Sequence, residues 1–330
     1  MRVAVLGAGS WGTTVATLTA KRHDVVLWAR RAEAALEINE THLNRTYLPD
    51  WPLPEELRAT SDMEEAVRDA DVVVVGVLTD GFCQAAVEAA KHMRSWVPVV
   101  SLAKGFEQGT LLRMTQVIKD SSPGHPVATL TGPNIAKEIM AGNAAASVIA
   151  TEDLDVAAAL QEVFQRGVFR VYTNHDVAGC EIGGALKNVV AIATGMAEGL
   201  SVGDNTRAAV ITRGLGEITR LGVAMGGVPA TFAGLAGLGD LMVTCMSPHS
   251  RNRYVGEQLG RGRSIDEIIG EMSMVAEGVK AASTCAALAE RHGVVMPICE
   301  TVKQVVTGAM TQMEAYRGLL PKAGHEAEPG

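Results

Sequence analysis

The chain is poor in aromatic residues: 5 Phe, 4 Trp and 4 Tyr among 330. A core without many large rings must be packed from Ala, Val, Leu, Ile and Met, which suits helices layered on parallel strands better than an aromatic-rich β-sandwich. Cysteine is scarce too. The five thiols, Cys83, Cys180, Cys245, Cys285 and Cys299, are odd in number, widely spaced and form no Cys-x-x-Cys pair. That argues against a disulfide framework or a zinc site and makes a reducing cytoplasm the expected setting. Positive charge is outnumbered, 29 Lys and Arg against 37 Asp and Glu, for a net charge of −8. A protein built to grip a nucleic-acid backbone or an anionic membrane carries the opposite balance, so neither is an expected partner. The eight histidines lack metal-ligand spacing, so no metal is expected. There is no charged leader with a cleavage site, and no run of about 18 apolar residues free of charge or glycine; neither secretion nor a membrane span is expected.

What is present falls into two parts, as length over about 150 residues per domain suggests. Up to residue 176, short β-branched runs (Val3 to Leu6, Val25 to Trp28, Val72 to Val77, Val97 to Leu102, Val127 to Thr131, Ala146 to Ala150, Val168 to Tyr172) alternate with segments of helical spacing. Such alternation predicts an α/β Rossmann-type doubly wound parallel sheet over residues 1–176. From 177 to 320 the spacing is helical throughout (Val177 to Gly199, Asn205 to Leu221, Val279 to His292, Ile298 to Thr307), which predicts an all-α C-terminal domain. Pro229, Pro248 and Pro297, with Gly203, Gly226-Gly227 and Gly293, mark its breaks. Residues 321–330 read as a polar tail.

Gly7-Ala8-Gly9-Ser10-Trp11-Gly12 spells Gly-x-Gly-x-x-Gly between an apolar strand ending at Leu6 and a helix-compatible run. In that context Gly7 permits the tight turn, Gly9 lets backbone approach a pyrophosphate, and Gly12 lets helix and strand pack closely. The helix N-terminus then offers free N–H groups and a positive dipole end to the phosphates. About 20 residues on, an NAD-specific sheet places an acid against the ribose 2′-hydroxyl. This chain reads Trp28-Ala29-Arg30-Arg31 instead, two cations that suit a 2′-phosphate, so NADPH is favoured over NADH. The bland alternative for Arg30 and Arg31 is a solvated helix start.

Two later segments carry chemistry. In Glu181-Ile182-Gly183-Gly184-Ala185-Leu186-Lys187-Asn188, helical spacing puts glycines three and four residues before Lys187, stripping its face of bulk and predicting a groove through which a ligand reaches the amine. Gly234-Leu235-Ala236-Gly237-Leu238-Gly239-Asp240 exposes backbone donors around a carboxylate, and Ser250-Arg251-Asn252 adds a hydroxyl, a guanidinium and an amide. That is a phosphate-binding inventory. His249 beside it reads as an exposed loop residue.

Together with Lys104-Gly105 and Thr131-Gly132-Pro133, these motifs resemble, in order and nearly end to end, the bacterial NAD(P)-dependent glycerol-3-phosphate dehydrogenase family. The resemblance implies an enzyme that interconverts sn-glycerol 3-phosphate and dihydroxyacetone phosphate, running toward reduction for glycerophospholipid synthesis, with NADPH or NADH as cofactor. It implies Lys187 as the catalytic lysine, and Lys104, Gly132, Asn134, Asp240, Ser250, Arg251 and Asn252 as further substrate contacts. Ser10, Trp11, Arg30, Lys104, Ala136, Arg251, Val275 and Glu277 match cofactor-contacting positions. Asn134 stands where the family commonly has Ser. A hydroxy-acid dehydrogenase of similar layout and a catalytically silent dinucleotide-binding protein are the competing readings, and the oligomeric state is open, a homodimer being one option.

Overall fold

The computed structural model describes residues 1–272 and 277–318. The chain divides into two compact units, Met1–Glu181 and Ile182 onward. In the first, elements alternate: β1 (Arg2–Leu6), α1 (Ser10–Ala20), β2 (Asp24–Trp28), α2 (Ala32–Thr41), β3 (Arg58–Thr60), α3 (Met63–Val67), β4 (Val72–Val75), α4 (Thr79–Ala90), β5 (Val99–Ser101), α5 (Met114–Ser121), β6 (Val127–Thr131), α6 (Ala136–Met140), β7 (Ala145–Ala150), α7 (Leu154–Phe164) and β8 (Phe169–Asn174). The next helix, α8 (Val177–Gly199), contains the division between Glu181 and Ile182. The second unit continues with α9 (Asp204–Ala224), α10 (Pro229–Phe232), a π-helical turn (Leu235–Gly239), α11 (Asp240–Met246), α12 (Arg251–Gly260), α13 (Ile265–Glu271), α14 (Glu277–His292), α15 (Pro297–Val306) and α16 (Gln312–Gly318). The expected tail, 321–330, lies outside the described residues.

One eight-stranded sheet runs β3-β2-β1-β4-β5-β6-β7-β8. Alternate residues of β1 serve opposite faces: Val3 and Val5 join one apolar cluster, Ala4 and Leu6 the other. A sheet covered on both sides explains why β4 is four consecutive buried valines. Strand order reverses where β4 lies on the other side of β1 from β2, and ligands of such sheets bind in the crevice outside the strands' carboxyl ends there.

Two expectations need correction. Strand β3, three residues of Arg-Ala-Thr, had no apolar run to announce it. More consequentially, β7 pairs with β6 antiparallel, while the other neighbouring strands are parallel. The five-residue α6 spans about 7.5 Å and five-residue β6 about 17 Å, so the connecting helix is too short to carry the chain back to the other end of the sheet.

Two helical stretches, Val177–Gly199 and Pro229–Met246, reach membrane-spanning length and mean hydropathy, although charge and glycine interrupt both. The most apolar part of the first is 83% buried within the protein, which accounts for its composition as a core helix. The second is three short elements in succession with buried Asp240 among them.

Candidate functional site

In the first unit the Gly-x-Gly-x-x-Gly turn occupies the switch point. Gly7 has φ of 117°, and a Cβ there would lie 2.8 Å from the carbonyl oxygen of Gly76, just past β4. Both the backbone sign and the space demand glycine. A Cβ on Gly12 would fall 2.1 Å from the Gly7 oxygen, so α1 packs directly on the turn. Gly9 differs, since a Cβ on it would meet nothing within 4 Å. Gly9 is also the N-cap of α1, with no side-chain cap and no acid in the first turn through Ser10 and Trp11. An open cradle in front of uncapped N–H groups fits a dinucleotide's pyrophosphate. Trp11 packs edge-on to Phe169, ring centroids 6.1 Å apart, and its buried indole Nε1 has no hydrogen-bond partner. Arg30 and Arg31 lie just beyond β2, both exposed, with Arg31 as the N-cap of α2. That position is compatible with a 2′-phosphate and with the solvated helix start alike.

Neighbouring strands β5 and β6 bring the next pair together. Lys104 Nζ donates to the Gly132 carbonyl at 2.9 Å and to Asn134 Oδ1 at 2.7 Å. Asn134 therefore shares the lysine's ammonium directly, while its buried Nδ2 has no partner. Gly132, at φ of 126°, crosses so close to β7 that a Cβ would lie 3.2 Å from Ser147 Cα. Ala136 is the half-buried first residue of α6.

Also in this unit, Glu181 accepts from Thr115 N at 2.8 Å and Arg113 Nη1 at 2.6 Å, fastening the first turns of α8 to the start of α5. Burial pushes this carboxyl up despite the guanidinium beside it.

In the second unit Lys187 is 6% exposed. Its ammonium donates to the Asp240 carboxylate and, at 2.7 Å, to Thr244 Oγ1, which in turn donates to the Asp240 carbonyl at 2.6 Å. The π-helical turn delivers Asp240 to the first position of α11 and places Thr244 one turn further on the same face. Of the two glycines that precede Lys187, Gly183 opens no groove beside it. A Cβ on Gly183 would lie 2.7 Å from the Ala236 oxygen, so this glycine admits the backbone of the π-helical turn. Cys245 is buried beside the pair, its thiol pushed up to about 11 by burial, a neutral and inert wall.

Ser250 is the N-cap of α12, its Oγ accepting from Arg253 N at 3.2 Å. Arg251 and Asn252 open that helix as expected. Arg251 is half-buried, whereas Asn252 is 8% exposed and spends its Oδ1 on the N–H of Gly278, 2.9 Å away in the first turn of α14. Glu277 is the first residue of α14; Val275 lies outside the described residues. His249 is exposed. Sequence reading missed Thr244, 57 residues from its lysine, and Asn188, whose buried Nδ2 has no partner. Among the described residues no three His, Cys, Asp or Glu side chains are grouped to hold a metal ion.

A doubly wound sheet with a glycine turn at its switch point, continued by a helical unit, defines a two-domain nicotinamide-dependent dehydrogenase layout. Family models for the N- and C-terminal parts of NAD-dependent glycerol-3-phosphate dehydrogenase match residues 2–157 and 176–317. The chain is 58% identical to glycerol-3-phosphate dehydrogenase [NAD(P)+] 2 of Sphingopyxis alaskensis, over 100% of this chain and 99% of that one. It is 55% identical to the Mycobacterium avium glycerol-3-phosphate dehydrogenase [NAD(P)+], over 98% and 96%. The Coxiella burnetii glycerol-3-phosphate dehydrogenase crystal structure superposes with a TM-score of 0.93 at 33% identity, covering 97% of this chain and 99% of that one. The chain belongs to the NAD-dependent glycerol-3-phosphate dehydrogenase family. A ketopantoate reductase from Ralstonia eutropha, at TM-score 0.60 and 18% identity over 96% of this chain and all of that one, shares the fold alone.

Proposed function

We propose that this chain interconverts sn-glycerol 3-phosphate and dihydroxyacetone phosphate with NADPH or NADH, running in the cell toward reduction and supplying the glycerol phosphate of phospholipids. The observation that carries the reading is the buried Lys187, hydrogen-bonded to Asp240 and Thr244. An ammonium has three donors; two are committed to these partners, which leaves the third for a substrate oxygen. When bound, the nicotinamide supplies the hydride to C2. Lys187 Nζ then stabilises the charge that builds on the C2 oxygen and gives it the proton. Asp240 and Thr244 hold the lysine in place for that transfer. Arg251, with Ser250 and Asn252 at the start of α12, binds the substrate phosphate through a guanidinium and a helix N-terminus.

In the first unit Gly7, Gly9, Ser10, Trp11 and Gly12 hold the pyrophosphate end of the cofactor, and Arg30 with Arg31 favours NADPH through its 2′-phosphate. By resemblance, Lys104, Gly132 and Asn134 are assigned to the substrate, and Lys104, Ala136, Arg251 and Glu277 to the cofactor. Five free thiols, four of them buried, support a reducing, cytoplasmic setting. The test is NADPH oxidation with dihydroxyacetone phosphate, repeated with NADH and with small keto acids. Turnover of the phosphorylated ketone is expected; turnover confined to keto acids would replace this reading with that of a hydroxy-acid dehydrogenase, and cofactor binding without turnover with that of a silent binder.

A further inference from the structure

Helices α8 and α12 touch through glycine on both sides. A Cβ on Gly195 would lie 2.1 Å from the carbonyl oxygen of Arg253, and one on Gly199 2.2 Å from that of Glu257. Reciprocally, a Cβ on Gly256 would lie 2.0 Å from the Ile192 oxygen and one on Gly260 2.4 Å from that of Met196. Residue numbers rise together along both helices, so the two run parallel, with Lys187 upstream on one and Arg251 upstream on the other. At that upstream end Gly278 of α14 closes the junction: a Cβ there would be 2.6 Å from the Asn188 oxygen and 2.8 Å from Asn252 Oδ1. Asn188 and Asn252 directly follow Lys187 and Arg251. A separate observation marks this end as facing a ligand: Asn188, 3% exposed, keeps a buried Nδ2 donor with no partner.

We propose that these glycines are positioning residues, setting the distance from Lys187 to the Arg251 turn so that one substrate meets both, its C2 oxygen at the lysine and its phosphate at α12. The proposal rests on the phosphate-clamp reading above. A single added methyl forces the helix backbones apart by about 1 Å, since contacts of 2.0 Å must open to at least 3.0 Å. Misplacement on that scale costs about 10²-fold when two ends of a substrate must be held together. A substrate without a phosphate does not feel the change.

The experiment measures kcat/KM of the full chain for dihydroxyacetone phosphate and for unphosphorylated dihydroxyacetone in Gly256→Ala. The expected result is a fall of about 10²-fold for the phosphorylated ketone with little change for the other. Gly270→Ala, in open space on α13, is the control and should leave both unchanged. If Gly256→Ala does not yield folded protein, Gly278→Ala carries the same measurement, because one of its near contacts is a movable side-chain end. A folded variant in which both substrates lose activity equally, or neither does, overturns the proposal. Arg251→Ala separates the two levels: if it leaves the ratio between substrates intact, the clamp reading itself fails. If it collapses the ratio while the glycine variants do not, only the spacing device fails.

Discussion

The candidate sites of the two units are built from different materials. The first works chiefly with backbone: the glycine turn, the uncapped start of α1 and the Gly132 carbonyl that receives Lys104. The second works with side chains, Lys187, Asp240 and Thr244, converging from helices more than fifty residues apart. Backbone donors come at fixed spacing along one stretch of chain and suit a constant ligand such as a pyrophosphate. A proton donor must be held at one atom, which takes partners from other helices.

If this division is correct, removing the lysine separates turnover from binding. Lys187→Met is expected to lower kcat by about 10³–10⁴-fold, the combined loss of proton donor and charge stabilisation. NADPH affinity, measured by fluorescence titration, should be unchanged. Because Asp240 is left buried without its cation, at a cost of about 3–5 kcal/mol, a thermal melt must first show folded protein. Near-normal turnover would take Lys187 out of the catalytic role.

Asp240→Asn is the next largest test. The amide still accepts from Lys187 but no longer balances its charge, and a fall in kcat of about 10²-fold is expected with KM nearly constant. A change confined to KM would instead make Asp240 a binding residue. On the first unit's side the effect should appear in affinity alone. Arg30→Asp is expected to shift the ratio of NADPH to NADH affinity by about tenfold toward NADH, as loss of one charge-assisted phosphate contact does. An unchanged ratio would leave Arg30 as the solvated start of α2.

The same contrast governs how much could be read from sequence. The glycine turn, the apolar strands and α8 were legible because their signals are local: a spacing, a period of two, a period of 3.6. Strand β3 was not, being three residues long, and the antiparallel β7 depends on the length of α6, which residue patterning measures poorly. At Lys187 the glycine pair is legible, but the purpose of Gly183 is not, since it accommodates the Ala236 backbone. Thr244 and Asn188 escaped because an ordinary helical Thr or Asn carries no signal until its tertiary partner, or lack of one, is seen. The paired Gly-x-x-x-Gly spacings of α8 and α12 were visible, but nothing in the sequence says that they face one another.

The smallest expected effect compares two buried carboxylates, one in each unit. Glu181 and Glu217 both accept backbone N–H groups at the start of a helix, Thr115 of α5 for one, Ile298 and Cys299 of α15 for the other. Among the described residues, Glu181 has a guanidinium within ion-pair distance, Arg113 at 2.6 Å, whereas Arg220 acts on Glu217 from beyond that distance. Burial pushes the Glu217 carboxyl above its usual 4.5. A carboxyl whose folded value is raised contributes its full stability below pH 4.5 and loses it as pH climbs through the raised value. Glu217→Gln cannot titrate, but it turns an N–H donor toward one of the two backbone donors and should be less stable by about 1 kcal/mol in acid. That deficit should narrow steadily from pH 4.5 upward in urea unfolding, because the wild type weakens while the variant does not. A deficit that stays constant or widens over that range would mean that the α15 N–H groups outweigh burial at Glu217, unlike at Glu181, whose carboxyl burial pushes up even beside Arg113.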